Sequence, residues 1–174
     1  MKYKLELSKR KSISISVKGG ELLVKAPIGT STARIETVIQ KHQRWIEKHI
    51  NIEKKRALID AALTDEKIAE LKRSARTYLV AKTNYYATIM GLKCGRITIT
   101  SAATRFGSCS SKGNISYSYR LMMYPDAARE YVVVHELAHL VHMNHSPEFY
   151  SLVEKYMPDY KQRRMLLKCL DGEF

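Results

Sequence analysis

Residues 135–145 read H-E-L-A-H-L-V-H-M-N-H, and this stretch constrains fold and chemistry more than any other part of the chain. His135 and His139 are four residues apart, so an α-helix would place both imidazoles on one face, about one turn from each other. Two imidazoles in that relation can bind one Zn²⁺, and Glu136 lies beside them, within reach of a metal-bound water. The apolar residues 131–134 precede the motif, as in a buried helix. The spacing therefore predicts a helix that carries a catalytic zinc site.

The third zinc ligand has three candidates. His145 follows closely enough to fold back towards the metal, provided that the chain turns at Asn144. Glu154 lies on the next predicted helix, and His142 shares a helical face with His135. In an unbroken helix the Cα atoms of His135 and His142 would be about 10 Å apart, which is long for two Zn–N bonds of about 2.0–2.1 Å to one ion. The spacing therefore favours His145, and three protein ligands leave the fourth zinc position for water or substrate.

Glu136 is the predicted acid–base residue, because a carboxylate there can take a proton from the zinc water and pass it to the leaving group. Histidine ligands usually donate their second N–H group to a carboxylate or carbonyl. The sequence offers Glu130, Glu148 and Glu154 for that role without choosing among them.

A second segment, T-R-F-G-S-C-S at residues 104–110, combines a cation with small residues. Arg105 carries a planar guanidinium suited to a carboxylate or phosphate, and Gly107 reduces the bulk around the backbone N–H groups. If this segment lies beside the zinc, Arg105 can stabilise a charged transition state. The alternative is a strand bend in which Arg105 forms a structural ion pair. Cys109 is expected to be a small buried residue rather than a nucleophile.

The composition indicates a folded protein that resides in a reducing compartment. The chain has 174 residues, of which 45% are hydrophobic, enough for a core. Three cysteines, Cys94, Cys109 and Cys169, are far apart and form no C-x-x-C pair, which argues against a disulfide framework. The first ten residues show no signal-peptide pattern, and no apolar run approaches the roughly 18 residues of a membrane span. A soluble, cytoplasmic protein is therefore expected, without a membrane partner and with no indication of its oligomeric state.

The net charge of +13 is concentrated in the first 125 residues. Residues 1–60 contain 14 Lys/Arg and 6 Asp/Glu, residues 61–125 contain 10 and 3, and residues 126–174 contain 6 and 8. Basic surface attracts anionic partners, such as nucleotides, nucleic acid or acidic substrates. The alternative is a solvated helical face, because Lys and Arg alternate with Glu around residues 44–56.

Hydrophobic periodicity predicts an α+β protein. Alternating residues at 3–7 and 13–17, the turn Gly19-Gly20 and a strand that ends at Pro27 predict a small N-terminal β-sheet. Two long helices should follow, at about residues 30–58 and 64–90. Further strands are expected over residues 96–120, and the strand around residues 117–120 is a candidate sheet edge for an extended peptide. The zinc-binding helix should run from Pro125-Asp126 to about His142. Two C-terminal helices should begin at residues 146–147 and 159, and the last should end near Leu170.

The two motifs together resemble the YgjP-like family of metal-dependent hydrolases, which is grouped with SprT-like and minimal gluzincin-type zinc peptidases. The resemblance rests on H-E-L-A-H-L-V-H-M-N-H-S-P-E-F-Y and on T-R-F-G-S-C-S-S-K-G-N-I-S about 25 residues earlier. The family's usual tryptophan in the second motif is Phe106 in this chain. The resemblance implies a zincin-like fold, with His135, His139 and His145 as metal ligands and Glu136 as the acid–base residue.

The resemblance identifies the residues of the site more specifically than it identifies the substrate. It predicts one domain over residues 1–174, with a sheet and helix in residues 1–60 and a zincin-like catalytic core in residues 61–174. The favoured function is a zinc-dependent, metallopeptidase-like hydrolase, although another divalent metal is compatible with the motif. The alternatives are a metal-dependent nucleoside triphosphate (UTP) pyrophosphatase and a nucleic-acid-associated SprT-like protein.

Overall fold

A computed structural model describes residues 2–167 and shows the predicted mixture of helices and small sheets. The chain divides into two compact units, Met1–Leu63 and Thr64–Phe174. Each unit contains one three-stranded sheet and its own helices. The α+β fold class is thereby confirmed, whereas the assignment of residues 1–174 to a single domain stays a prediction.

The first unit consists of three strands followed by two helices. The strands are β1 (Tyr3–Ser8), β2 (Ser14–Lys18) and β3 (Glu21–Pro27), and the helices are α1 (Thr32–Lys41) and α2 (Gln43–Ala62). Strand β3 lies in the centre of the sheet, with β1 parallel to it and β2 antiparallel. Alternate residues of β3 and the apolar positions of both helices form one core, which contains Leu22, Val24, Ala26, Ile35, Ile39 and Ile46.

One predicted helix is in fact two helices. The sequence predicts a continuous helix over about residues 30–58, but His42 has φ −109° and ψ 15° and separates α1 from α2. No proline or glycine marks this break. The change of direction allows Ile39 of α1 and Ile46 of α2 to enter the same core.

The second unit begins with α3 (Asp65–Met90), whose ends follow from local sequence. The Thr64 hydroxyl accepts a hydrogen bond from the backbone N–H of Lys67, and Asp65 and Glu66 lie in the first turn. The cap satisfies one N-terminal N–H group, and the two carboxylates interact favourably with the helix dipole. Gly91 ends the helix in the left-handed conformation, at φ +67°.

A second three-stranded sheet follows α3, and it has the same topology as the first. It contains β4 (Ile97–Thr100), β5 (Gly107–Cys109) and β6 (Ile115–Ser118). Strand β6 lies in the centre, with β4 parallel to it and β5 antiparallel. A 3₁₀ helix at Tyr119–Met123 leads to α4 (Asp126–Ala138), α5 (Pro147–Tyr156) and α6 (Tyr160–Leu166). Helix α4 packs against α3, α5, α6 and β5.

The predicted sheet edge near residues 117–120 is wrong. Tyr117 lies on the central strand β6, is fully buried, and has its hydroxyl 3.0 Å from the Thr83 hydroxyl. The strand that leaves an edge beside α4 is β5. Cys169 and the predicted helix end near Leu170 lie outside the described residues. In residues 2–167, no helix has the length and apolar character needed to cross a membrane.

Candidate metal centre

The helix that carries the H-E-x-x-H motif ends earlier than predicted. Helix α4 stops at Ala138 rather than near His142, and His139 lies at its C-terminal boundary. The backbone bond from His139 N–H to the His135 carbonyl, 3.3 Å long, preserves the one-turn relation of the two imidazoles. The next bonds span three residues, from Leu140 to Leu137 and from Val141 to Ala138, and they tighten the turn. Positive φ angles occur only at glycines in the described chain, so Asn144 does not end the helix in the left-handed conformation.

The tight turn returns the chain so that three imidazoles converge. One ring nitrogen from each of His135, His139 and His145 lies within 4.8 Å of the other two. The Nε2 atoms of His135 and His145 are 3.0 Å apart. Two ligands of a tetrahedral zinc with bonds of about 2.0–2.1 Å lie roughly 3.3 Å apart, so the spacing fits a shared ion. Neither His142 nor Glu154 joins the cluster.

Two further contacts orient the imidazoles. The Nδ1–H group of His139 donates to the His142 carbonyl at 3.0 Å, which leaves Nε2 of His139 as the nitrogen with a free lone pair. His135 Nδ1 lies 3.3 Å from the Tyr131 hydroxyl, so its Nε2 also faces the cluster. A carbonyl and a phenol therefore occupy the positions for which the sequence suggested carboxylates.

The three suggested carboxylates have other positions. Glu130, one of the three candidates, accepts hydrogen bonds from Lys82, Tyr86 and Arg163 rather than from a histidine. Glu148 and Glu154 are exposed. A hydrogen bond with Ser146 at the start of α5 lowers the pKa of Glu148.

Phe149 packs against all three imidazoles of the cluster and is not among the site residues predicted from the sequence. Its ring is fully buried, with its centroid 4.9 Å from His135, 4.6 Å from His139 and 5.0 Å from His145. Ser146 caps α5 by accepting the Phe149 N–H, which fixes the ring just beyond His145. The sequence signal for this contact is the spacing, because Phe149 follows His145 by four residues.

Burial favours the uncharged form of two of the three imidazoles, those of His135 and His139. Burial lowers the pKa of His135 to about 3, with the two neighbouring imidazoles and Arg164 acting in the same direction. Burial also lowers the pKa of His139, and His145 adds to the effect, although the bond to the His142 carbonyl opposes it. Neutral imidazole is the form that binds a metal, so this set of three donors fits zinc.

Glu136 follows His135 on α4 and faces the interior. It is 5% exposed, and its Oε2 atom is buried without a hydrogen-bond partner in the described chain. Burial raises the pKa of Glu136 to about 7. A carboxyl group with a pKa near neutrality can both accept and donate a proton under ordinary conditions.

The T-R-F-G-S-C-S segment reaches Glu136 through its glycine. A Cβ atom added to Gly107 would lie 2.5 Å from Oε1 of Glu136 and 2.7 Å from its Cγ and Cδ atoms. Gly107 therefore permits β5 to approach the carboxyl group at a distance that no other residue allows. The sequence predicts accessible backbone N–H groups at this glycine, whereas the structure places it against Glu136.

The other residues of that segment are more peripheral. Arg105 precedes β5, is exposed, and forms no ion pair within residues 2–167, so its catalytic role stays a prediction. Phe106 packs edge-on against Tyr124, with centroids 4.8 Å apart. Cys109 is half-buried, and burial raises the pKa of its thiol, with a further contribution from Glu136. A raised thiol pKa agrees with the expectation that Cys109 is not a nucleophile.

Comparisons with known proteins gave one family match and one similar solved structure. No curated protein shows a significant match to the chain. The crystal structure of the metallopeptidase zymogen of Pyrococcus abyssi abylysin is 23% identical, with a TM-score of 0.48, over 52% of this chain and 91% of that one. The family described as YgjP-like, metallopeptidase domain, matches residues 11–70 and 55–169. The second match contains the three histidines, Glu136 and Gly107, and the two together span most of the sequence. The chain therefore belongs to the YgjP-like metallopeptidase-domain family.

Proposed function

We propose that this protein is a zinc-dependent peptidase in which His135, His139 and His145 hold the metal and Glu136 transfers protons. The observation that carries the proposal is the convergence of three imidazoles, two of them kept neutral by burial, together with a buried carboxyl group on the residue after His135. A structural zinc site would not need the buried, unpartnered oxygen of Glu136, which is costly unless it has a use.

Each residue of the site has a separate role in the proposed hydrolysis. A zinc ion held by the three imidazoles would supply Lewis acidity towards a substrate carbonyl and a water molecule. Glu136 accepts a proton from the attacking water as the oxygen adds to the carbonyl carbon. It then returns that proton to the departing amine as the C–N bond breaks. Phe149 limits the access of water beneath the imidazole rings. The Tyr131 hydroxyl orients the His135 ring, and the His142 carbonyl orients the His139 ring.

The edge of β5 supports a peptide as the substrate. Phe106 and Ser110 bond to the partner strand β6, through Ser118 N–H to the Phe106 carbonyl and Ser110 N–H to the Asn114 carbonyl. Because bonded and outward-facing residues alternate in antiparallel strands, the N–H and C=O groups of Gly107 and Cys109 point away from β6. An extended peptide can pair with these groups next to Glu136.

The test compares wild type with Glu136→Gln, both zinc-loaded, on an unfolded polypeptide. We expect one zinc per chain in both proteins and a fall of about 100-fold or more in peptide cleavage by the variant. Full activity of Glu136→Gln would remove the assigned role of Glu136.

The third ligand is tested by His145→Ala against His142→Ala. The two histidines lie in the same turn, but only the His145 ring joins the cluster. We expect His145→Ala to lose zinc at chelator concentrations that leave His142→Ala loaded. Equal retention of zinc by both variants would exclude His145 as a ligand.

A nucleoside triphosphate substrate is the second candidate, favoured by one observation. The positive charge of Arg164 acts on His135, and a cation at that position can interact with phosphate. The same assay therefore includes UTP. Pyrophosphate release that requires Glu136, without peptide cleavage, would replace the peptidase proposal with a pyrophosphatase.

A further inference from the structure

The corner between α1 and α2 presents a tryptophan that is both exposed and held in place. Trp45 is 40% exposed, although its neighbour in sequence, Ile46, is fully buried. Its indole stacks on the His49 ring with centroids 4.0 Å apart and an angle of 26° between the planes. The His49 Nδ1–H group donates to the Trp45 carbonyl at 2.8 Å, which fixes the imidazole beneath the indole. One indole face is therefore supported by His49, in an arrangement that needs little further ordering on binding a ring.

The same corner contains a concavity lined with cations. Its volume is about 710 Å³, and its lining consists of residues 40–45 and 47. Lys41 and Arg44 are exposed, and neither forms an ion pair within the described chain. The acidic residue of the lining, Glu47, accepts a hydrogen bond of 2.9 Å from Gln43. The first turn of α2 contains no acidic residue, so the positive end of its dipole is not offset by a carboxylate there.

An aromatic ring next to cations matches one class of ligand. Proteins that bind single-stranded nucleic acid stack bases on aromatic side chains and contact the phosphates with Lys and Arg. The first unit carries 14 Lys/Arg and 6 Asp/Glu, a net charge of +8, which also attracts a polyanion. A ligand with phosphates alone would have no use for the supported indole.

We propose that the α1–α2 corner binds single-stranded nucleic acid, with one base stacked on Trp45 and adjacent phosphates contacting Lys41 and Arg44. The surface lies wholly within the first unit, so the proposal is independent of the zinc site and of the proposed peptidase activity.

Trp45 makes the test direct, because it is the protein's single tryptophan. The full-length protein is titrated with a 20-nucleotide oligothymidine while its tryptophan fluorescence is recorded. We expect saturable quenching that weakens as salt is added. Inorganic polyphosphate and anionic phosphatidylserine vesicles are titrated in parallel and should leave the fluorescence nearly unchanged.

Variants separate stacking from charge, with binding measured by the anisotropy of a labelled oligonucleotide. We expect Trp45→Ala to weaken binding by about tenfold, and Trp45→Phe to retain most of the affinity. Arg44→Gln and Lys41→Gln should each reduce the slope of log K against log salt by about 0.7. Lys55→Gln removes an equal charge from an exposed position on the same helix and should change the slope least.

Two results would overturn the proposal. One is unchanged affinity of Trp45→Ala or of the Lys41→Gln/Arg44→Gln double variant. The other is quenching by polyphosphate or vesicles equal to that by the oligonucleotide, which would indicate a general anion-binding or lipid-binding surface. Circular dichroism verifies that Trp45→Ala is folded, and Trp45→Leu replaces it in the same comparison if it is not.

Discussion

Gly107 is the residue at which the smallest change should have a large effect on activity. In Gly107→Ala the new methyl group would lie 2.5 Å from Oε1 of Glu136, so the carboxyl group must move. A displacement of about 1 Å in a catalytic group can reduce turnover about 100-fold. We expect a fall of that order in kcat, with zinc affinity close to wild type, measured by peptide cleavage and chelator competition.

Gly95→Ala is the matched control for this prediction. A Cβ atom at Gly95 would also lie 2.5 Å from an oxygen, but that oxygen is Asn114 Oδ1, which binds the Arg96 N–H rather than the site. We expect a loss of stability without a loss of activity per folded molecule. Equal losses of activity in both variants would mean that Gly107→Ala acts through general disruption.

Tyr131 should contribute to metal affinity through His135. In Tyr131→Phe the ring remains and only the hydroxyl at 3.3 Å from His135 Nδ1 is lost. Removal of such a partner typically reduces metal affinity about 10-fold to 100-fold. Tyr160→Phe is the control, because its ring stacks on Tyr131 without contacting the histidines. A zinc dissociation constant that is equal in the two variants would contradict the role of Tyr131.

Helices α3, α4 and α6 are joined by Glu130. Its carboxylate accepts from Lys82 and Tyr86 of α3 and from Arg163 of α6, and it is 17% exposed. Burial raises the pKa of Glu130, but the bonds from Lys82, Arg163 and Tyr86 outweigh it, so that the net pKa is lowered. The stability gained from Glu130 is therefore present above its unfolded pKa of 4.5 and is lost as the pH falls through the lower, folded value.

Glu130→Gln should therefore destabilise the protein in a pH-dependent manner. We expect a loss of about 2 kcal/mol in the free energy of unfolding at pH 7, which shrinks below pH 4.5. Denaturant unfolding at several pH values measures it. Asp126→Asn breaks the pair between Arg129 and the exposed Asp126 carboxylate, and it should cost less than about 1 kcal/mol. A loss that does not change with pH would contradict the assigned charge of Glu130.

Elements whose limits depend on nearby side chains were predictable from sequence. The Thr64 and Ser146 caps and the left-handed Gly91 lie where helix signals place them. The end of α4 was not predictable in this way, because no proline or glycine marks it and the turn is closed by backbone bonds of Leu140, Val141 and His142. The break at His42 likewise depends on packing into a core that is formed by several segments, so no local sequence signal marks it.

The candidate site shows the same limit. Spacing alone brought His135, His139 and His145 forward as a set, because the turn needs only a few residues. The contact between Gly107 and Glu136 joins positions 29 residues apart in sequence. Distances of that kind follow from packing, for which the sequence carries no local signal.

The division of the whole chain predicts where zinc binding resides. The three histidines, Glu136, Gly107, Tyr131 and Phe149 all belong to the second unit, Thr64–Phe174. We expect residues 64–174, expressed alone, to bind one zinc per chain and to unfold at a higher temperature when zinc is present. Calorimetry with and without chelator measures this, and residues 1–63 serve as the control. If residues 64–174 do not bind zinc, the metal site needs the first unit.

Both sheets place the strand that is made last in the centre, with the first strand parallel to it and the second antiparallel. During synthesis, β1 and β4 must therefore wait for a partner until β3 and β6 have left the ribosome. The local hairpins β2–β3 and β5–β6 can close first, since hairpins form within microseconds. Gly107 belongs to the second hairpin, whereas the imidazoles lie downstream. The edge of β5 can therefore form before Glu136 and the three histidines have been synthesised, and the metal cluster can assemble only after the strand that will lie against Glu136.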